Sequence, residues 1–157
     1  MSETRTRAPR NELYETDFFA WTQAQARLLR ERRFDDLDLI NLVDEVESVG
    51  GSEKREIRNG LAQLLGHLLK WKYQPGRRGS SWTETIFEQR DQLADILETS
   101  PSLRGYFREQ IGKRYTAARL LAAKETGIAF GLLPEECPFS ADQILDLRFF
   151  PEDREIE

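Results

Sequence analysis

The sequence predicts an all-α protein, a single-domain antiparallel helical bundle of about five main helices plus a short C-terminal helix. Apolar residues recur three and four positions apart along most of the chain, which is the spacing of one face of an α-helix. No window of alternating β-branched residues indicates a strand. Glycine and proline separate the helical patterns by short connections, which are typical of antiparallel neighbours.

The length and composition predict one folded domain with short flanking segments. The 157 residues, of which 39% are hydrophobic and 32% charged, are enough to bury a core and too apolar for general disorder. Residues 1–11 contain only Met1 and one alanine of the apolar types, so we expect a flexible N-terminal arm there. The helical bundle domain is predicted over residues 12–150, and residues 151–157 form an acidic C-terminal tail.

Two helices are predicted in the first third of the chain. The first helix begins after an N-cap at Thr16 or Asp17 and ends at about Arg32. A second helix runs from about Asp38 to Val49, where Gly50-Gly51 is expected to stop it. The sequence places an apolar stripe on its inner side and a polar set on its outer side, with Leu39, Leu42, Val43, Val46 and Val49 inward and Asn41, Asp44, Glu45 and Ser48 outward.

Further helices follow, each with a recognisable start or stop. Ser52 is predicted to cap a long third helix that ends before Pro75-Gly76. The fourth helix is expected to begin at a capping box formed by Ser81 and Glu84, with Trp82 inward. The remaining signals are Ser100-Pro101 at the start of the fifth helix, Gly127 at its end, a Pro-rich crossing over residues 128–139, and Ser140 at the start of the short last helix.

Several function classes are disfavoured by composition. The sequence has no apolar run near the about 20 residues of a membrane span, and residues 2–10 lack the apolar stretch of a signal peptide, so we expect a cytoplasmic protein without membrane contact. One cysteine and one histidine cannot supply a Cys/His zinc site. Cys137 lies between prolines and is interpreted as a small buried residue. No cofactor is predicted.

Charge is segregated along the chain. Residues 11–52 carry ten acidic and four basic residues, whereas residues 53–90 carry eight basic and four acidic ones, within a net charge of −5. This pattern fits oppositely charged elements that pack together or against a second copy, and it also fits a basic groove for an anionic partner.

Six short motifs together resemble a bacterial family, domain-of-unknown-function family number 29, which is frequent in cyanobacteria and also found in proteobacteria. The resemblance spans about residues 13–150 and implies an all-helical cytoplasmic bacterial protein, with no reaction and no catalytic residues. Phe139 departs from the tyrosine expected at its position. The motifs are Leu13-Tyr14-Glu15-Thr16-Asp17-Phe18-Phe19-Ala20-Trp21, Leu42-Val43-Asp44-Glu45-Val46-Glu47-Ser48-Val49-Gly50, His67-Leu68-Leu69-Lys70-Trp71 with Tyr73-Gln74-Pro75, Ser81-Trp82, Ser100-Pro101-Ser102-Leu103, and Pro134-Glu135-Glu136-Cys137-Pro138-Phe139.

The densest candidate site surrounds the end of the predicted third helix. The sole histidine, a Pro-Gly break and a pair of arginines coincide there, and loops held by rigid helices often carry function. We therefore predict a ligand or partner surface made by His67, Gln74, Arg77 and Arg78, with both arginines free in solvent.

Three functions remain open at this stage. The first is a non-enzymatic protein-interaction module with an unknown protein partner, or a second copy in a homo-oligomer. The second is a polyanion or nucleic-acid binder that uses Arg77 and Arg78, although the negative net charge disfavours nucleic acid. The third is a metal-dependent hydrolase in which Glu47, interpreted as the one inward carboxylate, joins His67 on a bound cation; no Glu-x-x-His pair supports it.

Overall fold

The computed structural model describes residues 12–152, which confirm the all-α helical class. No strand occurs between Glu12 and Glu152. The predicted N-terminal arm and most of the predicted acidic tail, residues 153–157, lie outside the described residues. The helices are α1 (Glu12–Thr16), α2 (Phe18–Arg30), α3 (Leu39–Tyr73), α4 (Ser80–Thr99), α5 (Arg104–Thr126) and α6 (Ala141–Leu145), with short 3₁₀ turns at Phe34–Asp36, Pro75–Arg77, Pro101–Leu103 and Phe130–Leu132.

The chain separates into two compact units. The first unit ends at Gly51 and the second begins at Ser52. The first contains α1, α2 and the start of α3, and the second contains the rest of α3 with α4, α5 and α6. A single domain over residues 12–150 stays a prediction.

The predicted helix stop at Gly50-Gly51 is wrong. One helix of 35 residues replaces the predicted second and third helices, so residues 12–152 contain four long helices rather than about five. A glycine that ends a helix usually adopts a positive φ, and among the described glycines only Gly127 does so. The two glycines therefore lie in the helix interior, where the hydrogen-bond ladder continues through them.

Local signals at three other helix ends are confirmed. The Asp17 side chain accepts a hydrogen bond from the Ala20 amide at 3.0 Å and caps α2. Gly127 ends α5 with a φ of 73°, the left-handed conformation that glycine adopts without strain. Ser140 and Gln143 form a reciprocal capping box at α6. The short helix α1 was not predicted.

The capping box predicted at Ser81 and Glu84 is absent. Helix α4 begins at Ser80 with Gly79 as the cap residue, and no side chain caps it. Ser81 is therefore inside the first turn, where its hydroxyl cannot take the place of the cap. Ser100 precedes a 3₁₀ turn and donates its hydroxyl proton to Glu53 at 2.8 Å instead of capping α5.

The second unit is a helical bundle built on the later part of α3. Gly60 lies so close to α4 that an added Cβ would approach the Leu93 side chain within 3.3 Å. Ser100 at the end of α4 reaches back to Glu53, so α3 and α4 are antiparallel. Helix α5 runs back alongside them. The buried core includes Ile57, Leu61, Leu64, Leu65, Leu68, Leu69, Ile86, Leu93, Phe107, Tyr115, Ala118, Leu133 and Ile144.

Polar and aromatic contacts around one tryptophan connect the described elements of the first unit. The Trp21 indole is 1% exposed and donates to the Asp38 carboxylate at 3.0 Å. Buried Gln25 accepts a hydrogen bond from the Asp38 amide, and the Tyr14 hydroxyl donates to Glu45 at 2.6 Å. The Tyr14 ring packs edge-on against Trp21. None of the described helices has the length and apolarity that a membrane crossing requires.

Candidate functional site

The first eleven residues of α3 carry a row of exposed apolar side chains. We call this row the apolar face of α3; its members are between 47% and 71% exposed and comprise Leu39, Ile40, Val43, Val46 and Val49. At 100° per residue, Leu39, Val43 and Val46 fall within a narrow arc of the helix, and Ile40 and Val49 border it on either side. The row is therefore continuous rather than a scatter of single residues.

The predicted orientation of this segment is wrong for most of its residues, although Asp44 and Ser48 are exposed as expected. Asn41 and Glu45, expected on the outer side, are half-buried, whereas the apolar stripe expected on the inner side is exposed except for half-buried Leu42. The reason is the chemistry of α1 and α2: Tyr14 presents a hydroxyl to Glu45, and hydrogen bonding to that carboxylate raises the pKa of Tyr14 to about 12. This contact places Glu45, rather than the apolar stripe, against Tyr14.

Exposed apolar surface is concentrated in the first unit. Nine of the fifteen large hydrophobic side chains that are exposed among residues 12–152 lie between Phe18 and Val49. In the same part of the chain, Trp21 is the one buried large hydrophobic residue. Monomeric proteins rarely leave contiguous apolar patches in water, and such patches mark binding surfaces.

Acidic residues surround the apolar face. Residues 34–51 contain six acidic residues and no basic one. Asp38 and Glu45 are engaged by Trp21 and Tyr14, and Asp36 pairs with Arg33 at 3.0 Å. Asp44 and Glu47 are exposed. The inward position predicted for Glu47 is therefore wrong, and both carboxylates border the apolar face on the side of Ile40.

The predicted surface at His67, Gln74, Arg77 and Arg78 lies in the second unit, around the end of α3. His67 is half-buried, and its Nδ1 lies 2.8 Å from the Gln63 carbonyl one turn earlier. Burial lowers the pKa of His67 from its usual 6.5, so the ring is neutral at physiological pH. This arrangement is that of a helix-surface histidine packed on its own helix.

The other three residues of that surface differ in their contacts with the rest of the fold. The Gln74 amide donates to the Thr126 carbonyl at 3.1 Å. Arg78 donates two hydrogen bonds to the Trp71 carbonyl, at 2.8 and 2.6 Å, and its guanidinium lies 4.8 Å from the Trp71 ring centroid. It thereby satisfies a carbonyl at the end of α3, so the expectation that it is a free cation is wrong. Arg77 is exposed.

Other cations of the basic segment are also used within the fold, which sequence reasoning missed. Buried Lys70 forms an ion pair with Glu125 at 2.7 Å and lies 5.2 Å from the ring of Trp82, which is half-buried rather than fully inward. Fully buried Arg90 donates to the Ile144 carbonyl at 2.8 Å. The burial of Lys70 and Arg90 could have been predicted from their positions on the apolar faces of their helices. A continuous basic groove is not formed by these side chains.

Two further features bear on chemistry. Residues 12–152 contain no group of three or more His, Cys, Asp or Glu side chains placed to hold a metal ion. The Cys137 thiol is half-buried and points to the Phe139 carbonyl at 3.5 Å, and burial raises its pKa, which reduces the reactive thiolate. Joint action of Glu47 and His67 stays a prediction, since the two residues belong to different units.

Comparison with known proteins gives one match. The family model described as "Domain of unknown function DUF29" matches residues 13–150, from the start of α1 to the segment after α6. No curated protein and no solved structure matches the chain. The chain therefore belongs to the DUF29 family, as its sequence motifs predict.

Proposed function

We propose that the protein is a non-enzymatic protein-interaction module that binds its partner through the apolar face of α3. The observation that carries the proposal is the contrast within the described part of the first unit, residues 12–51, where nine large hydrophobic side chains are exposed and Trp21 is the one that is buried. A bacterial origin and a cytoplasmic location are part of this proposal.

The size of the face suits a reversible interaction. Full burial of one aliphatic side chain contributes about 1.5–3 kcal/mol, and these five are roughly half to two-thirds exposed, so a partner that covers them gains about 4–9 kcal/mol. Association costs about 4–15 kcal/mol in lost freedom. The face therefore supports binding only together with polar or ionic contacts at its edge.

The other two functions receive less support from the geometry. In the loop after α3, Arg77 is exposed, whereas Arg78 keeps its charge but donates two hydrogen bonds to the Trp71 carbonyl, which leaves fewer donors for a polyanion. A hydrolase needs a positioned nucleophile or metal, and its two named residues, Glu47 and His67, are an exposed carboxylate and a ring bonded to its own helix. Both functions stay predictions.

The test is photo-crosslinking in the native host. A photoreactive amino acid is placed at Val46, and the matched control carries it at Leu120 of α5, which is 62% exposed and far along the chain. We expect partner adducts from the Val46 position that disappear when Val43→Ser is added, and none of the same adducts from Leu120. Identical adduct patterns from the two positions would refute the proposal.

A further inference from the structure

We infer that the partner surface is a basic amphipathic helix: a helix whose apolar stripe covers the apolar face of α3 and whose lysine or arginine side chains pair with Asp44 and Glu47. This inference rests on the proposed function and names the chemistry of the partner. It follows from the shape of the face, from the charges along its edge, and from the exclusion of two other occupants.

The face has the shape that a single helix covers. From Leu39 to Val49 the helix rises about 15 Å, which is about three turns. Leu39, Val43 and Val46 are spaced by four and then three residues, the spacing at which a second helix packs side chains between those of the first. A partner helix of about three to four turns is therefore long enough to cover the row.

The charges select a cationic partner. Residues 34–51 contribute six carboxylates and no cation, so every charged side chain of this segment is negative. Asp44 and Glu47 are exposed three residues apart on the helix, and neither forms a hydrogen bond or ion pair with residues 12–152. A partner with Lys or Arg beside its apolar stripe would supply the counter-charges that they lack.

A second copy of the chain fits less well. Two apolar faces pressed together would bring two acidic edges toward each other, and like charges across an interface oppose association. Between residues 12 and 51 the cations are on α2 and just after it, and Arg33 among them already bonds to Glu31 and Asp36.

The N-terminal segment of the same chain also lacks the required chemistry. Residues 1–11 provide Arg5, Arg7 and Arg10 as cations. Their apolar residues are only Met1 and Ala8, apart from a proline, so the segment offers no stripe to cover five aliphatic side chains. The occupant is accordingly a separate chain.

The experiment uses the full chain and two labelled model peptides. Both form amphipathic helices with the same leucine pattern, but one carries lysines and the other glutamates on its polar side. Fluorescence anisotropy is measured over a salt titration for the wild type and for Asp44→Asn with Glu47→Gln. The matched control, Asp91→Asn with Asp95→Asn, removes the same charge from exposed positions of α4.

We expect the wild type to bind the lysine peptide more tightly than the glutamate peptide. Removal of Asp44 and Glu47 should weaken lysine-peptide binding by about two- to thirtyfold, the range that two exposed ion pairs supply, and should flatten the salt dependence. The α4 control should bind as the wild type does. Equal weakening in the control and the face variant would overturn the inference, because attraction would then be non-specific.

Two further outcomes separate this inference from the proposed function. If both peptides bind equally and Val43→Ser with Val46→Ser abolishes binding, the face is a docking surface without charge selection, and only the inference fails. If light scattering shows a wild-type dimer that Val43→Ser with Val46→Ser converts to a monomer, the occupant is a second copy, and again the inference fails. If the two valine substitutions change neither peptide binding nor mass, the proposed function fails as well.

Discussion

Gly50→Ala and Gly51→Ala should each stabilise the protein, because both glycines lie in the interior of α3. A Cβ added at either position meets no atom within 4 Å, and neither glycine has the positive φ that alanine resists. Glycine in a helix interior is less favourable than alanine by about 0.5–1 kcal/mol. The double variant should therefore gain about 1–2 kcal/mol in the free energy of helix formation at this point.

Two measurements detect this gain. For a chain of this size 1 kcal/mol shifts Tm by about 2–4 °C, so a thermal melt of the double variant should rise by roughly 2–8 °C if the segment unfolds with the whole. Hydrogen exchange at the amides of residues 47–55 should slow in either case, because it reports local opening of the helix. The exchange data therefore decide the prediction even if the melt is governed by the second unit.

Gly127→Ala is the matched control, for which we expect a decrease rather than an increase in the free energy of unfolding. Gly127 ends α5 with a φ of 73°, and an alanine held there costs about 1–2 kcal/mol. If Gly50→Ala and Gly51→Ala destabilise the protein as Gly127→Ala does, the helix ends at the glycine pair and our reasoning on α3 is refuted.

Three further predictions concern single side chains. Ser140→Ala should lower the free energy of unfolding by about 0.5–2 kcal/mol, because the Ser140 side chain caps α6. Ser81→Ala should change it by less than about 0.5 kcal/mol, because no side chain caps α4. Equal losses for the two variants in urea melts would contradict the assigned helix starts. Burial lowers the pKa of folded His67 below 6.5, so the unfolded state takes up the proton first. The free energy of unfolding of the wild type relative to His67→Gln should therefore be largest above pH 6.5 and should decrease as the pH falls through the folded-state pKa of His67. If urea melts of the two proteins differ by the same amount at every pH, this prediction is wrong. Arg78→Ala should cost about 1 kcal/mol because the Trp71 carbonyl loses its donor, while exposed Arg77→Ala should be neutral in stability. Heparin binding that disappears with Arg77→Ala alone would support the polyanion alternative.

Features fixed by neighbouring residues could be predicted from the sequence. Asp17 caps α2, Gly127 ends α5 and Ser140 opens α6, since each effect depends on a side chain or a φ within a few residues. Helical structure between Ser52 and Pro75 was also predicted, because leucines recur there on almost every turn. Local chemistry and periodicity are sufficient where no distant contact competes.

Predictions failed where two local rules compete or where the contact is distant. A glycine pair indicates a helix end, but the same pair is tolerated inside a helix at a cost of about 1 kcal/mol each, and the sequence does not say which applies. At Ser81 the capping pattern was present, yet the helix began two residues earlier than this pattern predicts, with Gly79 as the cap residue and Ser80 as the first helical residue. Arg78 and Lys70 bind groups seven and 55 positions away in the chain, and no spacing rule covers such partners.

The apolar face of α3 shows why sequence and structure are needed together. Periodicity correctly placed Leu39, Val43 and Val46 on one side of a helix. An apolar stripe is typical of a helix face that is buried, whether by the same chain or by another molecule. Periodicity does not say whether the cover is another part of the same chain or another molecule. In this chain, Tyr14 bonds to Glu45, and Trp21 and Gln25 bond to Asp38 just before the helix, whereas the apolar side of the segment is exposed. A stripe that the sequence predicts as buried and the structure shows as exposed supports our proposal that a partner covers it, and the exposed carboxylates of Asp44 and Glu47 beside it support the proposed positive charge of that partner.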